Sequence, residues 1–478
     1  MKMDLNVESR KAITRRQFFH RSAKGIGVAA LSGLLQREGF ARTLAAQAPH
    51  FAPKARRVIY LFMSGGPSHL DLFDHKPMLA KHDGQPAPEE FMESQRFAFL
   101  KGVPNVGASR WKFKQHGEAG TWMSELLPNI GSIADEIAVV RSMHTEQFNH
   151  DPAVMYLNSG SPLPGRPCMG AWASYGLGSD SSDLPAFVVL NSGHGTQPLQ
   201  TRYWGNGFLP SVHQGVQFRS KGDPVLFVGN PEGMSEHSRR DSIDAISALN
   251  RMQLESVGDP EIATRIEAFE LAFRMQTSVP ELMDISNEPE SVRESYGVEP
   301  GQVSFANNCL LARRLVERGV RFVQLFHTGW DHHGGRGTQN LIEHLPVACK
   351  EIDQPAAALV SDLKQRGLLD ETLVIWGGEF GRTPMVQGEV TAESMGRDHN
   401  PRAFSIWMAG GGIKPGVNYG ATDDFGYNVV EQPVHVHDFQ ATALHCLGVD
   451  HKQLTYRMQG RDFRLTDVAG EVVHDLLA

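Results

Sequence analysis

Four short segments of the chain carry side chains that could share one chemical task. SGGPSHLDLFD holds Ser68, His69, Asp71 and Asp74, and HTGWDHHGG holds His327, Asp331, His332 and His333. GGEFGRTP holds Glu379 and Arg382, and GRDHNP holds Arg397, Asp398, His399 and Asn400. Carboxylates and imidazoles gathered from separate segments are the material of a divalent-metal site, where an ion neutralises an anionic substrate and activates an oxygen nucleophile. Arg382 and Arg397 add fork-shaped donors that match phosphate or sulfate oxygens. A fifth segment, HTEQFNHDP, contributes His144, His150 and Asp151, with His150 a candidate general base or further ligand. Each cluster also has a purely local use. Ser68 and Asp71 fit a helix cap, Asp331 fits a turn, Glu379 can pair with Arg382, and Asp398 can hydrogen-bond to His399. His435 and His437 sit at a strand-to-helix junction.

What brings such segments together is the order of the elements around them. Arg57–Met63 is an apolar, β-branched and aromatic run that breaks into Ser64-Gly65-Gly66-Pro67, the pattern of a strand buried on both faces. The same pattern recurs. Asn308–Arg318 has apolar residues at helical spacing, Gly319 closes it, and Val320–Phe326 is the next strand. A helix over Ile352–Gln365 ends at Gly367, and the strand Thr372–Trp376 follows. Ala403–Met408 is a further strand, Ile137–Val140 an apolar run, and Asp438 can cap a last helix ending at Gly448. Helices alternating with apolar strands imply βαβ units and a mainly parallel sheet. In such sheets ligands bind beyond the carboxyl ends of the strands, which is where the polar segments fall. The stretch 179–300 begins with a strand at Ala186–Leu190, passes through a Gly/Pro-rich region and turns charged and helical; it reads as an insertion that shapes a cleft.

Composition narrows the class. With 478 residues and 46 basic against 54 acidic side chains, a net charge of -8, the chain is neither a small stapled scaffold nor a basic nucleic-acid binder. It has 21 His but only 4 Cys, so a bound metal would take nitrogen and oxygen ligands. Cys168, Cys309, Cys349 and Cys446 form no CxxC pair and read as buried apolar residues, with a disulfide not deducible from their spacing. Near the start, TRRQFF precedes the weakly apolar run GIGVAALSGLL. The pair Arg15-Arg16 resembles a twin-arginine export signal, so residues 1–48 are set apart as signal and linker, and 49–478 as a single domain delivered to the periplasm or beyond. No other apolar segment approaches the ~20 residues of a membrane span.

GGPSHLDLFDHKP, NHDP, GWDHH, GGEFGRTP, GRDHNP and the terminal GRDFRLTDVAGEVV together resemble the family of exported proteins known as domain of unknown function 1501, which is grouped with the alkaline phosphatase and sulfatase superfamily. The resemblance runs from about Arg56 to Ala478. It implies an α/β fold, an αβα sandwich around a mostly parallel sheet, and a pair of divalent ions at strand ends: zinc first, with calcium or manganese as alternatives. Asp331, His333 and His399 fall where that pattern holds one ion. Glu379 falls where it holds the other, with Asp71, His69 and Asp398 as further candidate ligands and Arg397 or Arg382 clamping the anion. Three departures stand out. The first strand ends in Ser64-Gly65-Gly66 where an Asp ligand is expected, so His69 or Asp71 would have to reach back. Phe380 stands where a His would follow Glu379, and Asn149-His150-Asp151-Pro152 offers no Ser or Thr nucleophile. The resemblance therefore implies either a metal-dependent hydrolase of sulfate or phosphate esters, including sulfated polysaccharides, or a non-catalytic envelope protein of the same fold that binds a polysaccharide or a cytochrome-c-like protein.

Overall fold

The apolar runs become strands whose carboxyl ends coincide, and that coincidence builds the site. In the computed structural model, which describes residues 48–89, 100, 102–195, 198–226, 228–334, 340–387 and 394–478, the strands in chain order are β1 (Arg57–Ser64), β2 (Ile137–His144), β3 (Phe187–Gly193), β4 (Val216–Phe218), β5 (Phe322–Thr328) and β6 (Thr372–Gly377). β7 (Gly381–Gln387), β8 (Gly396–Asn400), β9 (Phe404–Ala409), β10 (Val417–Tyr419) and β11 (Val434–His435) follow. The principal helices are α1 (His150–Ser159), α2 (Met169–Leu177), α3 (Glu236–Val257), α4 (Pro260–Met283), α5 (Phe305–Glu317), α6 (Leu341–Gln365) and α7 (Val436–Cys446). Arg15, Arg16 and the apolar run after them lie outside the described residues.

The central sheet runs β10-β2-β9-β6-β1-β5-β3-β4, with β11 also on β2. β1 is parallel to both neighbours, Ser64 opposite Thr328 of β5 and Phe62 opposite Gly377 of β6, so the loops after these strands leave from one edge. β9 alone is antiparallel to the strands beside it. It follows the hairpin of β7 and β8, which brings the chain back over that edge.

Alternate residues of β1 face opposite cores: Ile59, Leu61 and Met63 pack with α5 and α6, and Val58, Tyr60 and Phe62 with α1, α2 and α7. Helices on both faces make the expected αβα sandwich. Residues 46–478 form one compact unit. The four cysteines are buried and free. Among the described residues no helix is long and apolar enough to cross a membrane.

Three elements differ from the sequence reading. α6 starts at Leu341, well before Ile352, and runs through Pro346 and Pro355. Each internal proline costs about 3 kcal/mol in an isolated helix. Burial of Leu341, Leu345, Cys349, Ile352, Ala356, Leu359 and Leu363 along one face outweighs that cost. α7 is capped by His435, whose side chain accepts from the His437 N–H, while Asp438 sits at the third helical position and accepts from the His435 N–H. The stretch from 179 is not wholly an insertion: β3 pairs with β5 and β4 with β3, completing the sheet. α3 and α4, joined at Gly258, stand as a charged helical hairpin outside it, and a short helix over Glu290–Tyr296 follows them.

Candidate metal centre

Asp331 and His333 ride the loop after β5, which glycines grip from two sides. Gly65 has φ +124, and a Cβ there would lie 2.6 Å from the Asp331 nitrogen; at Gly396 a Cβ would lie 1.8 Å from the Gly334 nitrogen. The loop is also tied by Trp330, whose Nε1–H donates to His327 Nδ1 at 3.0 Å, while His327 Nε2 lies 3.0 Å from Glu351 Oε2. His399 projects from β8, where a bulge between Arg397 and His399 shifts the register and re-aims the side chain. His150 opens α1, whose first turn is fastened by Arg202 and Tyr203 on the Asp151 carboxylate, at 2.5 and 2.7 Å.

These elements bring His150, Asp331, His333 and His399 together, each offering one ligand atom, all within 4.8 Å of one another. His333 Nε2 is 2.7 Å from Asp331 Oδ1, His150 Nε2 is 3.2 Å and His399 Nε2 is 3.5 Å from it. His399 Nε2 and His333 Nε2 are 2.8 Å apart. Four ligands at roughly 2.0–2.1 Å on a tetrahedron would stand about 3.3 Å from one another, so the spacing suits one ion after small adjustments.

The tautomers agree. His399 Nδ1 lies 2.6 Å from the Phe148 carbonyl, His333 Nδ1 2.6 Å from Gln387 Oε1, and His150 Nδ1 2.6 Å from Glu379 Oε1. All three partners are acceptors, so each Nδ1 carries the proton and each Nε2 turns a lone pair inward. Three imidazole lone pairs and a carboxylate oxygen converging on one point call for a cation. Such a nitrogen-rich set suits a transition-metal ion of the zinc kind and disfavours calcium, which takes oxygen ligands.

Electrostatics favour the ligand forms of Asp331 and His399 and act the other way on His150. Burial pushes the Asp331 carboxyl up, but Arg382 beside it and the neighbouring histidines hold it well below the usual carboxylate range. Burial above all, with Arg382 and the other imidazoles, pushes His399 down to about 3, so it is neutral at physiological pH. Burial would lower His150 too, yet its position between Asp331 and Glu379 raises it overall.

The remaining candidates are placed elsewhere. Glu379, fully buried, accepts from the Gly65 N–H and from His150 without joining the group of four. Asp71 does not reach back to the centre: its carboxylate pairs with Arg397 at 2.8 and 3.2 Å and accepts from Ser68 Oγ at 2.5 Å. His69 Nε2 lies 2.9 Å from the Gly426 carbonyl. Asp398 accepts from the backbone N–H groups of His399 and Leu100, which steadies the hairpin. Neither arginine is presented as an anion clamp. Arg397 is fully buried against Asp71 and the Thr383 and Pro384 carbonyls. Arg382 bonds the carbonyls of Gly65, Gly66, Trp330 and Arg397 and reaches Asp331 Oδ1 at 2.7 Å. The sequence offered no signal for Phe148 and Gln387 as tautomer-fixing acceptors, since one acts through its backbone and the other lies outside every motif.

Residues 55–477 match the family described as "Protein of unknown function (DUF1501)". The chain is a DUF1501 protein. No curated protein sequence matches it. Among solved structures, this DUF1501 chain is similar to the PsFucS1 sulfatase from Pseudoalteromonas sp., at 12% identity and TM-score 0.36, covering 96% of this chain and 76% of that one. It is also similar to the phosphonate monoester hydrolase SpPMH from Silicibacter pomeroyi, at 10% identity and TM-score 0.36, covering 88% and 76%. A protein in the alkaline phosphatase superfamily from Vibrio parahaemolyticus matches at 12% identity and TM-score 0.33, covering 86% and 71%. These likenesses are distant, and the centre of this DUF1501 protein stands on its own contacts.

Proposed function

We propose that the chain is a divalent-metal hydrolase of sulfate or phosphate esters, exported to the bacterial envelope on the Arg15-Arg16 signal. The reading is carried by the convergence of three imidazole Nε2 atoms and Asp331 Oδ1, together with the superfamily that the motifs resemble. A bound ion would supply Lewis acidity toward an ester oxygen and toward water. The protein's part is to hold the ligands. Glu379, Gln387 and the Phe148 carbonyl set the three imidazoles, and Arg382 keeps Asp331 ionised and in place. Phe380, fully buried, packs its ring 5.0 Å from that of His150 and 4.5 Å from that of His399, which limits their motion. Four protein ligands would close a tetrahedral zinc site, whereas manganese, with more positions, keeps room for water and substrate.

One observation favours a second reading. Both arginines that an anion would need are engaged inside the protein, which suits a metal-bearing envelope protein that binds a polysaccharide or a cytochrome-c-like partner without turnover. Metal analysis of the purified protein and of Asp331→Ala and His399→Ala, with a panel of aryl sulfates and phosphates, separates the two. A stoichiometric ion lost in both variants, with turnover on the panel, is the expected result. No bound ion sinks the metal centre; an ion without turnover leaves the binding protein.

A further inference from the structure

We infer that Glu379 is a positioning residue, a buried carboxylate that fixes His150 with its Nε2 toward the other ligands, and that it does not hold a second ion. This rests on the metal-centre reading above.

Glu379 Oε1 lies 2.6 Å from His150 Nδ1. A carboxylate oxygen accepts, so this contact places the proton on Nδ1, and once Nε2 is unprotonated its lone pair is aimed into the centre. The carboxylate cannot easily turn away. The Gly65 N–H faces both of its oxygens, at 2.9 and 3.2 Å, and the side chain has no exposed surface. Glu379 also stands outside the group whose ligand atoms converge. At their Nδ1 atoms His150 is backed by a carboxylate, His333 by an amide oxygen and His399 by a backbone carbonyl. A charged acceptor bonds more strongly than a neutral one and makes the opposite nitrogen a better donor to a metal. The end of β1 thus contributes a backbone N–H that holds this carboxylate, in the place where a ligand was expected.

Glu379→Gln isolates the effect. Oε1 accepts from both His150 Nδ1–H and the Gly65 N–H, so an amide NH2 in place of Oε2 sets a donor 3.2 Å from that same Gly65 N–H and removes the carboxylate. Either that donor-to-donor approach turns the amide round, so that its NH2 donates to Nδ1 and drives the proton to Nε2, or the oxygen stays and a weaker, neutral acceptor backs His150. Competition titrations with zinc and with manganese alone, against a chromophoric chelator, measure affinity and stoichiometry. The wild type is expected to bind one ion per chain, and the variant one ion about 10–100-fold more weakly. Nitrogen-15 spectra of histidine-labelled protein report the His150 tautomer without reference to turnover, and should change in the variant. Two ions in the wild type, or no ion, overturns the proposal even where Glu379→Gln does not fold. Unchanged affinity and an unchanged tautomer in a folded variant overturn it as well. One tightly bound ion with no turnover on any ester sinks the hydrolase and leaves this role of Glu379 standing.

Discussion

Asp71→Asn tests whether the Asp71–Arg397 pair holds the fold or serves the substrate. Both side chains are fully buried, and the guanidinium meets the carboxylate twice, at 2.8 and 3.2 Å. The substitution keeps the shape and removes the charge: the amide oxygen can still accept one guanidinium bond, but its NH2 sets a donor against the other, and Arg397 otherwise keeps the Thr383 and Pro384 carbonyls. Removing one partner of a buried ion pair costs about 3–5 kcal/mol. At about 1.36 kcal/mol per decade that is between two and nearly four orders of magnitude in the folded-to-unfolded ratio. Urea unfolding followed by tryptophan fluorescence should show a large fall in midpoint with little change in slope. The pH dependence has a definite sign. Burial raises the Asp71 carboxyl, but the charge and bonds of Arg397 pull it below its ordinary value. Its contribution to stability is therefore complete above about pH 3.9 and fades as pH falls further, so the deficit of Asp71→Asn shrinks in acid. A variant within about 1 kcal/mol of wild type at neutral pH would refute the structural role. Lost turnover at unchanged stability would return Arg397 to the anion-binding task.

Two further outcomes follow from the contacts around the centre. Gly396→Ala would drive a methyl to 1.9 Å from the His333 carbonyl carbon; metal occupancy should fall sharply while far-UV circular dichroism stays close to wild type, and full occupancy would show that the loop can move aside. Glu146 accepts from His435 Nε2 at 3.0 and 3.1 Å, and that bond, against the opposing effect of burial, brings its carboxyl down to about 2. Because the folded value is the lower one, its stabilisation is present above the ordinary carboxylate range and is lost between there and about pH 2. Glu146 is largely exposed, so Glu146→Gln should cost under about 1 kcal/mol at pH 7, read by thermal unfolding, and nothing at pH 2.

The fold was legible where one physical signal dominated. β1, β5, β6 and β9 are continuous apolar runs ending in glycine, and their predicted limits lie within two residues of the observed ones. α6 was misread at its start because two prolines are strong local breakers, while the buried face that overrides them acts only in the folded protein. The site was legible as to types but not as to partners. Residue types and strand ends singled out Asp331, His333, His399 and His150. Nothing local could show that Asp71 meets Arg397, 326 positions away, or that Arg382 points inward. Charge pairing over such distances is decided by packing.

That inward arginine bears on how many ions the centre takes. Arg382 occupies a cage of oxygens from Gly65, Gly66, Trp330, Asp331 and Arg397, gathered from the end of β1, the loop after β5 and the hairpin. Such a cage at strand ends would suit a hard cation, and here it holds a guanidinium that cannot dissociate. A fixed positive charge 2.7 Å from Asp331 Oδ1 already neutralises the carboxylate from behind, which lowers the gain from a second ion beside it. Glu379 is held by Gly65 and His150 and stands outside the group whose ligand atoms converge. Phe380, in the position where the resembled pattern has a histidine, packs against the rings of His150 and His399. On the metal-centre reading, the missing aspartate, the missing histidine and the buried arginine together favour one ion over a pair.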